Sequence, residues 1–240
     1  MEIQIAVAKT NKYASSESGD TLEVVERPNG GMSIVLSDGQ TSGKGAKDIS
    51  MLVVRRVISL LAEGVRDGAA ARAASDYLYA ERNGKVSATL NILSADLQTG
   101  TLVITRNSPT PVFVIRGDRV ECLLGESDAI GTMRNIRPAI SEIPLDGEIT
   151  VVMYTDGIVH AGDRYGQSLD ICTTLESMLD EQEPLAQEIA DALLNQALSL
   201  DQGRANDDMS IVVLQVLARE SDQIRRMIVR LPVPPTVRFD

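Results

Sequence analysis

Residues 86–124 read VSATLNILSADLQTGTLVITRNSPTPVFVIRGDRVECLL. Strand-like apolar runs at 86–95, 101–106, 112–116 and 120–124 are separated by Thr99-Gly100, by Pro109 and Pro111, and by Gly117-Asp118. Runs of this length between turn residues are β-strands, and such short connections join antiparallel neighbours. The stretch is therefore expected to form an antiparallel meander. Runs at 140–143 and 149–154 continue it across the turn at Asp146-Gly147.

On the N-terminal side, residues 46–63 carry Ile49, Leu52, Val53, Val57, Leu60 and Leu61 at helical spacing, and Gly64 ends the pattern. An alanine-rich second helix is expected over 68–82, with Asp67 as its cap and Asn83-Gly84 as its stop. Before them lie strands at 3–9, 21–26 and 32–36. The last two form a hairpin across Pro28-Asn29-Gly30-Gly31. On the C-terminal side, helices are expected over 168–179 and 184–199, then a last strand over 209–216. A short helix is expected after Ala218, and Pro232, Pro234 and Pro235 exclude a regular end. Helices grouped in pairs, not alternating with strands, define an α+β class and exclude a doubly wound parallel sheet. The expected architecture is two packed antiparallel β-sheets flanked by helix pairs, in one domain over 1–217 with an extension over 218–240.

With two Phe, five Tyr and no Trp, the core must be aliphatic. The 23 basic residues against 34 acidic ones give a net charge of -11, which disfavours a non-specific nucleic-acid partner and serves solubility. Cys122 and Cys172 lack metal-site spacing and read as free, buried thiols of a reducing compartment. Met1-Glu2-Ile3-Gln4-Ile5 does not open a signal peptide, and no apolar run is long enough for a membrane span. A cytoplasmic protein with no membrane partner is the expectation.

Four short stretches set an aspartate where an apolar run meets a turn: Ser18-Gly19-Asp20, Ser37-Asp38-Gly39, Thr155-Asp156-Gly157 and Asn206-Asp207-Asp208. Asp-Gly alone is an ordinary turn, and for any single pair the turn reading is the stronger. The flanks separate these sites from the other Asp-Gly pairs. Asp38 follows Ile34-Val35-Leu36, Asp156 follows Val151-Val152-Met153-Tyr154, and Asp207-Asp208 nearly abuts Ile211-Val212-Val213-Leu214. Such strands are central, so these acids would meet at one end of a buried sheet. An oxygen-only cluster suits Mg²⁺ or Mn²⁺.

Ser-Asp-Gly-Gln-Thr-Ser-Gly-Lys-Gly-Ala at 37–46, Tyr-Thr-Asp-Gly at 154–157 and Asn-Asp-Asp-Met-Ser-Ile-Val-Val-Leu at 206–214 resemble the ordered motifs of the PPM (type 2C) metal-dependent serine/threonine phosphatases. Ser-Gly-Asp at 18–20 resembles the first motif of the bacterial SpoIIE/RsbU/RsbX branch, and the short chain is most similar to RsbX. The resemblance implies two Mn²⁺ or Mg²⁺ ions. Asp38 would bridge them, the Gly39 carbonyl would complete one shell, Asp20 would serve the second ion, and Asp156 and Asp207 the first. A shift of register by one gives Asp208 the place of Asp207. The implied reaction is in-line attack of metal-activated water on a phosphoserine or phosphothreonine. The implied partner is a phosphorylated STAS-type protein of a partner-switching or stressosome pathway that controls a sigma factor. The alternative is the same fold used as an inactive binding module.

Two positions depart from the branch. Lys44 stands where His or a small residue is usual, and is either a phosphate-attracting group or a solvated loop lysine. His160 stands where relatives are often acidic, and as a surface or capping histidine it is not assigned to catalysis. The loop Gly39–Gly45 has three residues between its first glycines and glycine in place of the Mg²⁺-binding hydroxyl, so it is not a P-loop.

Overall fold

Ile211 and Val213 point to one face of the last strand, Val212, Leu214 and Val216 to the other, and all five are buried. A strand buried on both faces reads as an unbroken apolar run and needs a packing layer on each side. The computed structural model, which describes residues 1–28, 30–125, 127–181, 183–219, 222 and 224–232, supplies those layers. Its strands are β1 (Glu2–Thr10), β2 (Asp20–Glu26), β3 (Met32–Asp38), β4 (Leu90–Asp96), β5 (Thr101–Asn107), β6 (Val112–Arg116), β7 (Arg119–Leu123), β8 (Ala139–Pro144), β9 (Ile149–Tyr154) and β10 (Met209–Leu217). Its helices are α1 (Gly43–Ala62), α2 (Asp67–Arg82), the single turn α3 (Asp156–Val159), α4 (Ile171–Glu181) and α5 (Ala186–Leu200).

One sheet runs β1-β10-β9-β6-β7 and the other β2-β3-β4-β5-β8, with every pairing antiparallel. Ile34, Leu36, Leu93, Ile104, Val151, Met153 and Leu214 fill the space between the sheets. Val35, Leu90 and Ile92 turn outward onto α1 and α2, while Val152, Tyr154, Ile211 and Val213 turn outward onto α3, α4 and α5. This is the expected α+β sandwich. The first and last strands are neighbours, paired from Glu2 with Leu217 to Thr10 with Met209.

The expected meander is divided. β4 and β5 form a hairpin, but β6 and β7 belong to the other sheet, β8 returns to β5, and β9 lies between β10 and β6. The change of sheet falls at residues 107–111, where proline withdraws ladder donors. The Arg106 guanidinium there donates to the carbonyls of Thr110 and Gly125. The strand expected over 86–95 begins only at Leu90, and Ala88 instead makes isolated bridges to Gly39 and Ile130.

Asp67 is not the cap of α2. Arg66 holds the N-cap position, and the buried Asp67 carboxylate pairs with Arg27 at 2.5 Å. Asp156-Gly157 opens α3 instead of a simple turn. No helix appears among the described residues after Ala218, and Asn29, Pro234 and Pro235 lie outside the described residues. Cys122 and Cys172 are free but half-buried.

Candidate active site

Asp20 opens β2 and Asp38 closes β3, and the register sets them opposite each other. β9 and β10 bring the second pair. Beyond Tyr154, paired with Ile211, the Thr155 N–H donates to the Ser210 carbonyl at 3.0 Å, and the Ser210 N–H to the Thr155 hydroxyl at 3.0 Å. Asp156 therefore leaves β9 beside the point where Asp207 and Asp208 enter β10. A Cβ at Gly157 would lie 2.1 Å from the Asp208 carbonyl oxygen, so only glycine permits this approach.

Side chains join the two sheet ends. The Thr155 and Ser210 hydroxyls donate to Asp20 Oδ2 at 3.0 and 2.6 Å. Asp208 accepts the Gly19 N–H at 2.8 Å on one oxygen and the Lys12 N–H at 2.9 Å on the other. The Gly39 side of the site is equally close, because a Cβ there would lie 2.1 Å from the Ala46 carbonyl oxygen of α1.

The acids fall into two kinds. Asp20 and Asp208 are buried, whereas Asp38, Asp156 and Asp207 are half-buried and reach solvent. Burial, then the charges of Asp20 and Asp156, a carboxyl contact with Asp20 and the charge of Asp207 push the Asp38 carboxyl up to about 9. Burial also raises Asp20, partly offset by its hydroxyl donors and Lys9. Asp207 is raised, again chiefly by burial. The four acids singled out in the sequence are thus near enough to act on one another. Asp208, the alternative to Asp207, has both oxygens committed to backbone donors.

Several residues of the site were given no role by the sequence, Thr155 and Ser210 among them although both lie within quoted motifs. Lys9 of β1 and Lys47 of α1 both donate to the Asp20 carbonyl, at 2.7 and 2.8 Å. Ser50 binds the Gly19 carbonyl at 2.5 Å. Thr155 and Ser210 hold Asp20 across 135 and 190 residues of chain. Lys44 is exposed on the first turn of α1, and His160 is exposed and pairs with Asp163 at 2.9 Å.

Asp20 Oδ1 is buried with no hydrogen-bond donor. An acceptor left bare beside facing carboxylates is costly, and a cation relieves both problems. The all-oxygen donor set suits a hard divalent ion. Among the described residues, no three acidic, His or Cys side chains are gathered tightly enough to enclose one ion, so the cluster is open and not a closed cage. No described helix is long and apolar enough to cross a membrane.

A family model described as Stage II sporulation protein E (SpoIIE) matches residues 28–217. Stage II sporulation protein E of Priestia megaterium is 23% identical over 215 residues, which span 89% of this chain and 36% of that relative. The chain thus spans about a third of the length of that curated relative. The structure of the PP2C phosphatase domain and a fragment of the regulatory domain of the cell-fate determinant SpoIIE from Bacillus subtilis superposes with a TM-score of 0.77 at 23% identity, covering 90% of this chain and 64% of that one. RsbX in complex with magnesium superposes with a TM-score of 0.69 at 16% identity, covering 90% of this chain and 96% of that one.

Proposed function

The chain belongs to the SpoIIE family, and from that footing we propose that it is a Mn²⁺- or Mg²⁺-dependent phosphatase acting on phosphoserine or phosphothreonine in a protein. The observation that carries this reading is the convergence of Asp20, Asp38, Asp156 and Asp207 on one another, with Asp20 Oδ1 left without a donor. In the reading, residues 1–217 are the catalytic domain, 218–240 an extension, and the protein works in the cytoplasm. Its substrate is a phosphorylated STAS-type regulatory protein, the finer assignment implied by the motif resemblance to the SpoIIE/RsbU/RsbX branch.

Asp38 would bridge two ions, with Asp156 and Asp207 on the first, Asp20 on the second and the Gly39 carbonyl completing a shell. Bound divalent ions neutralise charge on a phosphoryl group and acidify water. The chain's own residues do the rest. Half-exposed Asp38, Asp156 and Asp207 form a face that an incoming phosphoester can reach. Thr155 and Ser210 orient Asp20 by their hydroxyls, and Asp208 ties the segments around Lys12 and Gly19 to the start of β10.

Phosphate release from a phosphoserine peptide, with Mn²⁺ and with EDTA, tests the reading. Turnover is expected only with the metal, and Asp38→Asn should lower it at least about a hundredfold, the scale of losing a charge-stabilising group. Mn²⁺ binding by calorimetry without turnover of any phosphoester would establish the inactive binding module instead.

A further inference from the structure

Between β7 and β8 the chain borders a depression of about 790 Å³ lined by Arg106, Arg134 and Arg137. Only one carboxylate among the described residues, Asp128, shares that lining. Arg106 is 4% exposed, and no described carboxylate forms an ion pair with it. Its fork is held by two carbonyls, at 2.9 and 3.2 Å, which fix the guanidinium without neutralising it. Arg134 lies over the Tyr79 ring at 5.0 Å, and Arg137 is exposed; neither is ion-paired among the described residues. Leu124 and Met133, 78% and 51% exposed, add apolar surface to the same lining. A protein of net charge -11 has here gathered guanidinium groups, ion-paired with no described carboxylate, next to exposed aliphatic side chains.

Hydrogen bonds link the segments that border the depression to those that carry the aspartate cluster. Ile130 exchanges backbone hydrogen bonds with Ala88, at 3.0 and 2.8 Å, and Ala88 bridges to Gly39 beside Asp38. On the other flank, the Thr110 hydroxyl bonds the Tyr154 carbonyl at 3.3 Å, two residues before Asp156. We propose that this depression docks an acidic segment of a partner polypeptide, with carboxylates on Arg134 and Arg137 and an apolar side chain on Leu124 and Met133. Resting on the phosphatase reading, the segment belongs to the substrate protein and flanks its phosphorylated residue. Charge complementarity selects the occupant, since planar guanidinium groups bind carboxylates bidentately. The aliphatic rim and the lack of a lysine-rich track favour a polypeptide over a nucleic acid.

The test uses the full chain and a dye-labelled, unphosphorylated peptide of Asp and Glu around one Leu, read by fluorescence anisotropy. A peptide with Asn and Gln in their place is the comparison. The acidic peptide should bind more tightly, and Arg134→Gln with Arg137→Gln should weaken it about tenfold or more. Arg55→Gln with Arg119→Gln, both exposed and outside that lining, should not. With phosphoserine in the same peptide, the Arg134/Arg137 pair should raise KM while kcat and turnover of p-nitrophenyl phosphate stay unchanged. Equal binding of the two peptides, an equal loss in the control pair, or tighter binding of an oligonucleotide or of anionic vesicles overturns the proposal. Absence of turnover on every phosphoester defeats the phosphatase reading alone, because the anisotropy measurement needs no catalysis.

Discussion

Asp207 and Asp208 are adjacent and chemically identical, yet they do opposite work. Asp208 is buried and gives both oxygens to backbone N–H groups; Asp207 is half-exposed and only 3.9 Å at its nearest from the Lys12 ammonium. Removing a carboxylate that satisfies one buried and one part-buried donor costs about 1–3 kcal/mol. Asp208→Ala should therefore lower the urea midpoint of the metal-free protein, and Asp207→Asn should not, while Asp207→Asn weakens Mn²⁺ binding by calorimetry. Equal destabilisation by both would refute this division. The sequence marked the aspartates through their apolar flanks, but a one-residue choice depends on which way each carboxylate turns. The hydroxyls of Thr155 and Ser210 were illegible for a related reason. Their acceptor lies more than a hundred residues away, so no local pattern records the contact.

Among the elements, β9 and β10 matter most to the site, and their long apolar runs were readable because both faces are buried. The meander was misread because strand propensity is local and says nothing about which sheet a strand joins. The prolines at 109 and 111 were read as turn residues, whereas they stand where the chain crosses between layers. Asp67 shows the same limit: its position suited a cap, but Arg27, forty residues earlier, claims the carboxylate. Close packing of α3 on the mouth of β10 leads to a further expectation. In Gly157→Ala the new methyl meets the Asp208 carbonyl, a clash of the kind that costs about 1–3 kcal/mol and shifts backbone. The variant should lose thermal stability and, by pushing Asp156 away from Asp207, bind Mn²⁺ more weakly. Unaltered metal affinity would show that the corner has room to give.

At the scale of the whole molecule, the acids couple stability to pH. In the unfolded chain, aspartates lose their protons near pH 4. In the fold, Asp38 keeps its proton up to about 9, and Asp20 and Asp207 are raised as well. The native state therefore binds more protons across that window, and metal-free stability falls as pH rises through it. Thermal unfolding in EDTA should show a falling melting temperature from about pH 5 to about pH 8. Mg²⁺ at a hundred times its Kd should add about 2.7 kcal/mol and flatten the slope. A melting temperature in EDTA that rises with pH across this range would contradict the assignment.

The pairing of β1 with β10 also governs the order in which the molecule can be made. Glu2 finds its neighbour only at Leu217, and Asp20 receives its shortest hydrogen bond from Ser210. Contacts so distant along the chain close slowly. During translation β1 leaves the ribosome with one edge unclaimed until β10 has followed it. The arrival of β10, not any earlier folding step, then sets the moment at which the aspartate cluster can assemble.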